Sequence, residues 1–222
     1  MTSQGKIYLL GSGWLSTHGY GFFGSKPLFS GSDGPFQYPK LQDYIWELPG
    51  RYGRFDIYTQ VCFSTAVLAL KDADLLQREG KKNIGIIVGS SSGVYDDDLA
   101  FFESTCEAGG EFASPNLFSY TLSNVALGEI AVFFNFIGPT FCVGNDPAHP
   151  GLSLMPAALS LLASKQWDCI LVGWVEASQH AQSDKQFARG AAFAVLSSVK
   201  TEKLKSEISL SPSFQFSDLF EG

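Results

Sequence analysis

Residues 83–88 read Asn-Ile-Gly-Ile-Ile-Val, an apolar run without polar alternation. A strand with one wet face alternates apolar and polar side chains. This run does not, so the sheet that contains it is covered on both sides. Cys169–Val172 and Ala191–Leu196 have the same character, and Lys6–Gly11 and Thr140–Val143 read as shorter strands. Gly11-Ser12-Gly13 reads as the turn that ends the first of them. Between the runs lie segments with helical spacing: Phe55–Leu76, Asp96–Ala108, Thr121–Phe134 and Leu152–Ser164. Strands alternating with helices predict an α/β domain with a mostly parallel sheet.

Two segments add to this. Leu152–Ser164 is apolar or small on nearly every face, which predicts a helix buried on all sides, with Pro156 confined to its first turn. In the tail, Ile208, Leu210, Phe214 and Phe216 alternate with Ser209, Ser211, Ser213 and Gln215. A period of two predicts an amphipathic strand, and Pro212 restricts it to an edge. The expected organisation is one domain over residues 1–200 and an amphipathic tail over 201–222 that packs on the domain or on a partner. A long Gly-, Ser- and Pro-rich loop is expected over Gly19–Pro39, held down by Phe22, Phe23 and Phe29.

The net charge of −7 excludes a basic footprint for nucleic acid and disfavours direct docking of a strongly acidic carrier protein. The four cysteines, Cys62, Cys106, Cys142 and Cys169, show no CxxC spacing. His18, His149 and His180 share no ligand pattern, so neither metal nor cofactor is expected. Buried free thiols and the lack of a signal-like N-terminus point to the cytoplasm. The longest apolar run, Val125–Val143, is broken by Gly128, Glu129, Asn135, Gly138 and Pro139, so no membrane span is expected.

Two places carry candidate chemistry. Gly89-Ser90-Ser91-Ser92-Gly93 follows a strand and matches the GxSxG elbow of serine hydrolases, with Ser91 as nucleophile. His149 or His180 would be the base, and Asp146, Asp168 or Asp184 the orienter. The plainer reading is a small-residue turn leaving a buried strand, because Gly93, Val94 and Tyr95 intervene before Asp96-Asp97-Asp98, which reads as a solvated helix start. The second place is the turn Gly144-Asn145-Asp146-Pro147-Ala148-His149-Pro150-Gly151, between an apolar strand and an apolar helix. Acyl-transfer enzymes put a nucleophile at such a turn, where a helix N-terminus offers free N–H groups. This turn has no Cys, and Ser153 is the first Ser after it. Cys142, between Phe141 and Val143, reads as a buried thiol.

Several runs resemble the β-ketoacyl synthases. They are Arg51–Asp56 with Ala66–Ala73, Gly85–Gly89 with Ser92-Gly93, Ser114-Pro115, Leu122–Glu129, Gly138-Pro139, Leu171–Ala177 and Gly190–Leu196. Their order and spacing span about residues 5–198 and resemble the N-terminal half of that family. The resemblance implies a thiolase-like half-fold, with a mostly parallel mixed sheet covered by helices on both faces. Counted forward from Val143, the family's catalytic Cys falls on Pro147; counted back from Gly151, it falls on Ala148. Neither can be acylated, so Asn145, Asp146, Pro147, Ala148 and His149 form a degenerate nucleophile turn. The family's His pair and Lys belong to a C-terminal half that has no counterpart in residues 1–222. No ketosynthase turnover is expected.

A ketosynthase relative without its Cys resembles a chain-length factor of type II polyketide or aryl-polyene systems. That resemblance implies pairing with a full-length β-ketoacyl synthase through Thr140, Phe141, Cys142, Val143, Gly144 and Asn145. It implies contact with acyl-carrier protein only through the partner. It also implies an acyl-tunnel wall to which Phe118, Phe133 and Phe134 are the candidates, with membership of the chain's own core as the alternative for Phe133 and Phe134. A serine hydrolase and a non-catalytic scaffold are the competing readings.

Overall fold

The computed structural model describes residues 6–25, 34–144, 153–179, 189–202, 204–208 and 216–220. Among these residues seven strands form one mixed sheet: β1 (Ile7–Ser16), β2 (Gly19–Phe22), β3 (Ile84–Ser90), β4 (Thr140–Gly144), β5 (Cys169–Glu176), β6 (Gly190–Ser197) and β7 (Ser206–Ile208). Their order is β2-β1-β6-β5-β3-β4, with β7 also paired to β1. The parallel part is β5-β3-β4, in register Val172↔Ile87 and Val88↔Cys142. The ladders made by β6 and β1 are antiparallel. The sheet is therefore mixed, and its parallel part is narrower than the strand–helix alternation predicts. Helical crossovers enforce parallel pairing on β3, β4 and β5, whereas β6 and β1 add beside them in the opposite sense.

Helices cover both faces. On one side lies α1 (Ile57–Asp72), buried along almost its whole length from Tyr58 to Leu70, with α4 (Asn124–Phe134) beside it. Asp56 starts α1 by accepting the Thr59 N–H at 3.3 Å, a side-chain cap worth roughly 1 kcal/mol. Asn135, in the left-handed region at φ 58°, ends α4. Phe63 of α1 stacks on Phe134 and meets Phe133 edge-on, so aromatic rings fill the α1–α4 seam.

Gly11-Ser12-Gly13 is not a turn; it lies inside β1. A Cβ on Gly11 would stand 2.3 Å from the backbone N of Ala73, and one on Gly13 2.6 Å from that of Ala69. These glycines let α1 approach the sheet closely. The Ser12 N–H between them donates to Asp72 Oδ2 at 2.9 Å.

On the other face lies α5 (Leu154–Ala163). It buries Leu154, Met155, Ala158 and Leu162 but leaves Pro156, Ser160 and Ala163 exposed. The expectation of burial on all sides is corrected: apolar composition did not distinguish a wholly buried helix from one with a half-open outer side. The tail shares this face. Ile208 of β7 and Phe216, Leu219 and Phe220 of a short 3-10 helix are buried in the same cluster as Leu154 and Trp174. Lys205 anchors the tail, donating its N–H to Leu9 O at 2.9 Å and pairing with Asp72 at 2.9 Å. Of the predicted strand over Ile208–Phe216, Ile208 ends β7 and Phe216 opens the 3-10 helix, and 209–215 lie outside the described residues.

Candidate functional site

The C-terminal ends of β3, β4 and β5 converge, as expected for a site in an open α/β sheet. β3 delivers the turn Ser90–Gly93, β4 delivers Cys142–Gly144, and β5 delivers Glu176–Gln179. The N-termini of α1 and of α2 (Tyr95–Cys106) border the same region. A cleft of about 90 Å³ opens there, lined by Tyr58, Val94, Asp96, Asp97 and Ser178 among others.

Glu176, which no motif marks as a site residue, dominates the β3 turn. Its buried carboxylate accepts the Ser91 N–H, the Ser92 N–H at 3.2 Å and the Ser92 hydroxyl at 2.7 Å. The turn closes with the Gly93 N–H on Ser90 Oγ at 2.8 Å, and Gly93 sits at φ +55°, where glycine is favoured. In a nucleophile elbow, main-chain N–H groups around the Ser stabilise the oxyanion. Here a fixed carboxylate fills the N–H groups of Ser91 and Ser92, and α2 begins four residues after Ser91 rather than at it. Asp168 lies at the start of β5, the far end of the strand from Ser91. His149, His180, Asp146 and Asp184 lie outside the described residues, and His18 belongs to the β1–β2 turn. The described geometry gives Ser91 no base.

The acidic residues of α2 are not a solvated helix start. Only Asp98 of the three is exposed. Asp96 accepts from the Ser178 hydroxyl and from the Gln179 N–H at 2.7 Å. Asp97 lies near enough to Asp56, the cap of α1, to feel its charge. Burial pushes the Asp97 carboxyl up to about 7, and its neighbour Asp56 adds to the rise. Burial also raises Asp56, partly offset by hydrogen bonds from Thr59 and Asp97. The two residues are forty-one positions apart, and no motif links them. Among the described residues, no three His, Cys, Asp or Glu side chains come together as metal ligands.

Among the described residues β4 is an edge strand, half-buried and paired to β3 on one side. On its outer side the Cys142 N–H donates to Asn124 Oδ1 at 3.0 Å. Burial pushes the Cys142 thiol up to about 11, and the nearby Tyr58 hydroxyl only partly offsets this. Cys62 is fully enclosed and raised further by the same cause. Neither is a thiolate near neutral pH, so neither is an activated nucleophile. Of the six residues expected at the interface, Thr140 to Gly144 lie on this edge. Asn145 and the degenerate turn through His149 lie outside the described residues.

The three phenylalanines separate. Phe133 and Phe134 are 6% and 0% exposed, and Arg78 closes over Phe133 with its guanidinium 4.1 Å from the ring centre. Both belong to this chain's own core, which corrects their placement on a tunnel wall: an enclosed ring cannot line a neighbour's cavity. Phe118, on α3 (Pro115–Phe118), is 62% exposed and packs on Phe101, with ring centres 5.3 Å apart. No helix among the described residues is long and apolar enough to cross a membrane.

The mixed sheet, with layers of helices on both faces and a site at the strand ends, is the architecture expected of a thiolase-like half-fold. Residues 39–203 match the model of the β-ketoacyl synthase N-terminal domain, and the chain belongs to that family. A β-ketoacyl synthase from Burkholderia phymatum superposes with a TM-score of 0.63 at 16% identity, over 86% of this chain and 59% of that one. The ishigamide ketosynthase/chain length factor gives 0.67 at 18%, over 88% and 59%. A ketosynthase, ApeO, in complex with its chain length factor, ApeC, from Xenorhabdus doucetiae gives 0.61 at 14%, over 86% and 79%. The chain thus spans about 59% of the length of the first two. No curated protein sequence matches it.

Proposed function

We propose that the chain is a non-catalytic, ketosynthase-like subunit of the chain-length-factor type. It pairs with an active, full-length β-ketoacyl synthase and shapes that partner's acyl tunnel in polyketide or fatty-acid-like polyene biosynthesis. Acyl-carrier protein reaches it only through the partner. The observation that carries this reading is the end of β4. Burial pushes the Cys142 thiol there up to about 11, and residues 144–151 contain no Cys, Ser, Thr or Lys. A family member with no nucleophile at this position keeps the fold as a surface.

Two further features support pairing. The exposed edge of β4 can accept a strand once Asn124 releases the Cys142 N–H. Phe118 offers an exposed aromatic ring that its own core does not use. The solved structures that resemble the fold include one of a ketosynthase with its chain length factor.

Co-expression with an active ketosynthase tests the reading. A stable heterodimer on size exclusion is expected, with products that lengthen on Phe118→Ala while the complex persists. A ketosynthase that neither binds the chain nor changes its product length in its presence sinks the proposal. So does acyl transfer from carrier protein onto residues 144–151 of the isolated chain.

A further inference from the structure

Residues 95–119 leave the body of the fold and return to it as a lobe. It holds α2, a 3-10 turn (Glu107–Gly110) and α3, and neither α2 nor α3 has a buried residue. α2 packs chiefly on the 3-10 turn and on α3 rather than on the sheet. The lobe is fixed at its ends. Val94 is buried before it and Tyr120 after it, and Asp96 accepts the Gln179 N–H at 2.7 Å.

One face of α2 has no cover. Tyr95, Asp98, Phe102 and Cys106 recur at intervals of three and four, so they share a side of the helix, and all four are exposed. Tyr95 and Phe102 are 48% and 63% exposed, and Phe112 and Phe118 further along the lobe are 71% and 62% exposed. So many open aromatic side chains in one excursion mark a surface for something outside the chain's own core.

Charge decides what can cover it. Asp96, Asp97, Asp98, Glu103, Glu107 and Glu111 lie within residues 95–119, and no Lys, Arg or His does, so the lobe carries a formal −6 of the chain's −7. Asp98, Glu103 and Glu111 are exposed, and no ion pair among the described residues involves them. Such a field repels an anionic lipid surface, a nucleic acid and an acidic protein. Two of these lobes set face to face repel as well. A basic protein surface is attracted. Lys and Arg suit this face in both parts, with apolar stems for the rings and cationic heads for Asp98 between them.

We propose that the α2–α3 lobe is a docking arm for a basic surface of the partner ketosynthase. Tyr95 and Phe102 take the apolar stems there, and Asp98, Glu103 and Glu111 pair with the Lys and Arg heads. This rests on the subunit reading and adds a second contact, with a stated chemistry, to the β4 edge. The edge offers main-chain pairing that many strands could use. The lobe offers charge, which selects one partner against others.

Binding kinetics of the chain on an immobilised, active, full-length β-ketoacyl synthase test it, from about 0.05 to 0.5 M salt, a range over which exposed charges become screened. The wild-type association rate should fall by ~tenfold or more across that range. The triple variant Asp98→Asn, Glu103→Gln, Glu111→Gln should associate at the wild type's high-salt rate throughout, with dissociation little changed. Phe102→Ala should keep the salt slope and dissociate about tenfold faster. All four side chains are exposed, so both variants should keep the fold, which circular dichroism checks, and the wild-type salt slope reads the same field without any substitution. A complex that forms with no wild-type salt slope, a triple variant that keeps the wild-type slope, or a dissociation rate that Phe102→Ala leaves unchanged overturns the docking arm and leaves the subunit reading standing. Salt-sensitive self-association that the triple variant abolishes also overturns it, since the occupant is then a second copy. No complex with any of the three chains sinks the subunit reading, and the docking arm with it.

Discussion

α1 and α2 begin at the same cleft and are held in opposite ways. α1 is enclosed from Tyr58 to Leu70 and approaches β1 at Gly11 and Gly13, whereas α2 buries no side chain. Area fixes α1; α2 is fixed by a few polar bonds at its first turn and by aromatic contact with α3. The difference separates what folds the chain from what can vary on it.

The largest effect expected from this contrast is in the α1–α4 seam. Phe63→Ala removes a ring that meets Phe133 and Phe134 and should cost roughly 3–5 kcal/mol in urea unfolding. A loss under about 1 kcal/mol would show that the seam collapses and that α1 is less firmly held than its burial implies.

Next in size is Glu176→Ala. It leaves the Ser91 and Ser92 N–H groups without their carboxylate and should cost roughly 1–3 kcal/mol. It also opens the donors that an oxyanion would need. Reaction of Ser91 with a fluorophosphonate in this variant, but not in the wild type, would sharpen the view that Glu176 fills the hole.

The smallest effect is on the lobe. Phe118→Ala should change stability by no more than ~0.5 kcal/mol, because the ring is exposed. Any effect it has on a partner's product length is then free of a folding defect. A loss matching that of Phe63→Ala would erase the distinction between the two regions.

The same contrast governs what could be read from the sequence. The strands β3, β5 and β6 were legible because uniform burial leaves uniformly apolar runs. α1 was legible from its helical spacing. Gly11-Ser12-Gly13 was misread because small residues serve turns and close helix approach alike, and only the position of Ala69 and Ala73 decides. Phe133 and Phe134 could not be separated from Phe118 by spacing, since their burial depends on Phe63 and on Arg78, which lie far off in the chain. Glu176 and the Asp56–Asp97 pair left no local signal, because each exists only where separate strands and helices end together.

The position of β1 in the sheet has a consequence for how the protein is made. Its ten residues are all buried, and apart from the short β2 its partners are β6 and β7, with Tyr8 opposite Ser197. A chain emerging at about 5–20 residues per second therefore carries an unpaired apolar strand for roughly 10–40 s before its main partner exists. α1 can shield one side of it early, but the strand edge stays open to other nascent chains. Yield in a cell should thus respond to slower initiation and to chaperones that hold N-terminal segments, even for variants whose finished fold is unaltered.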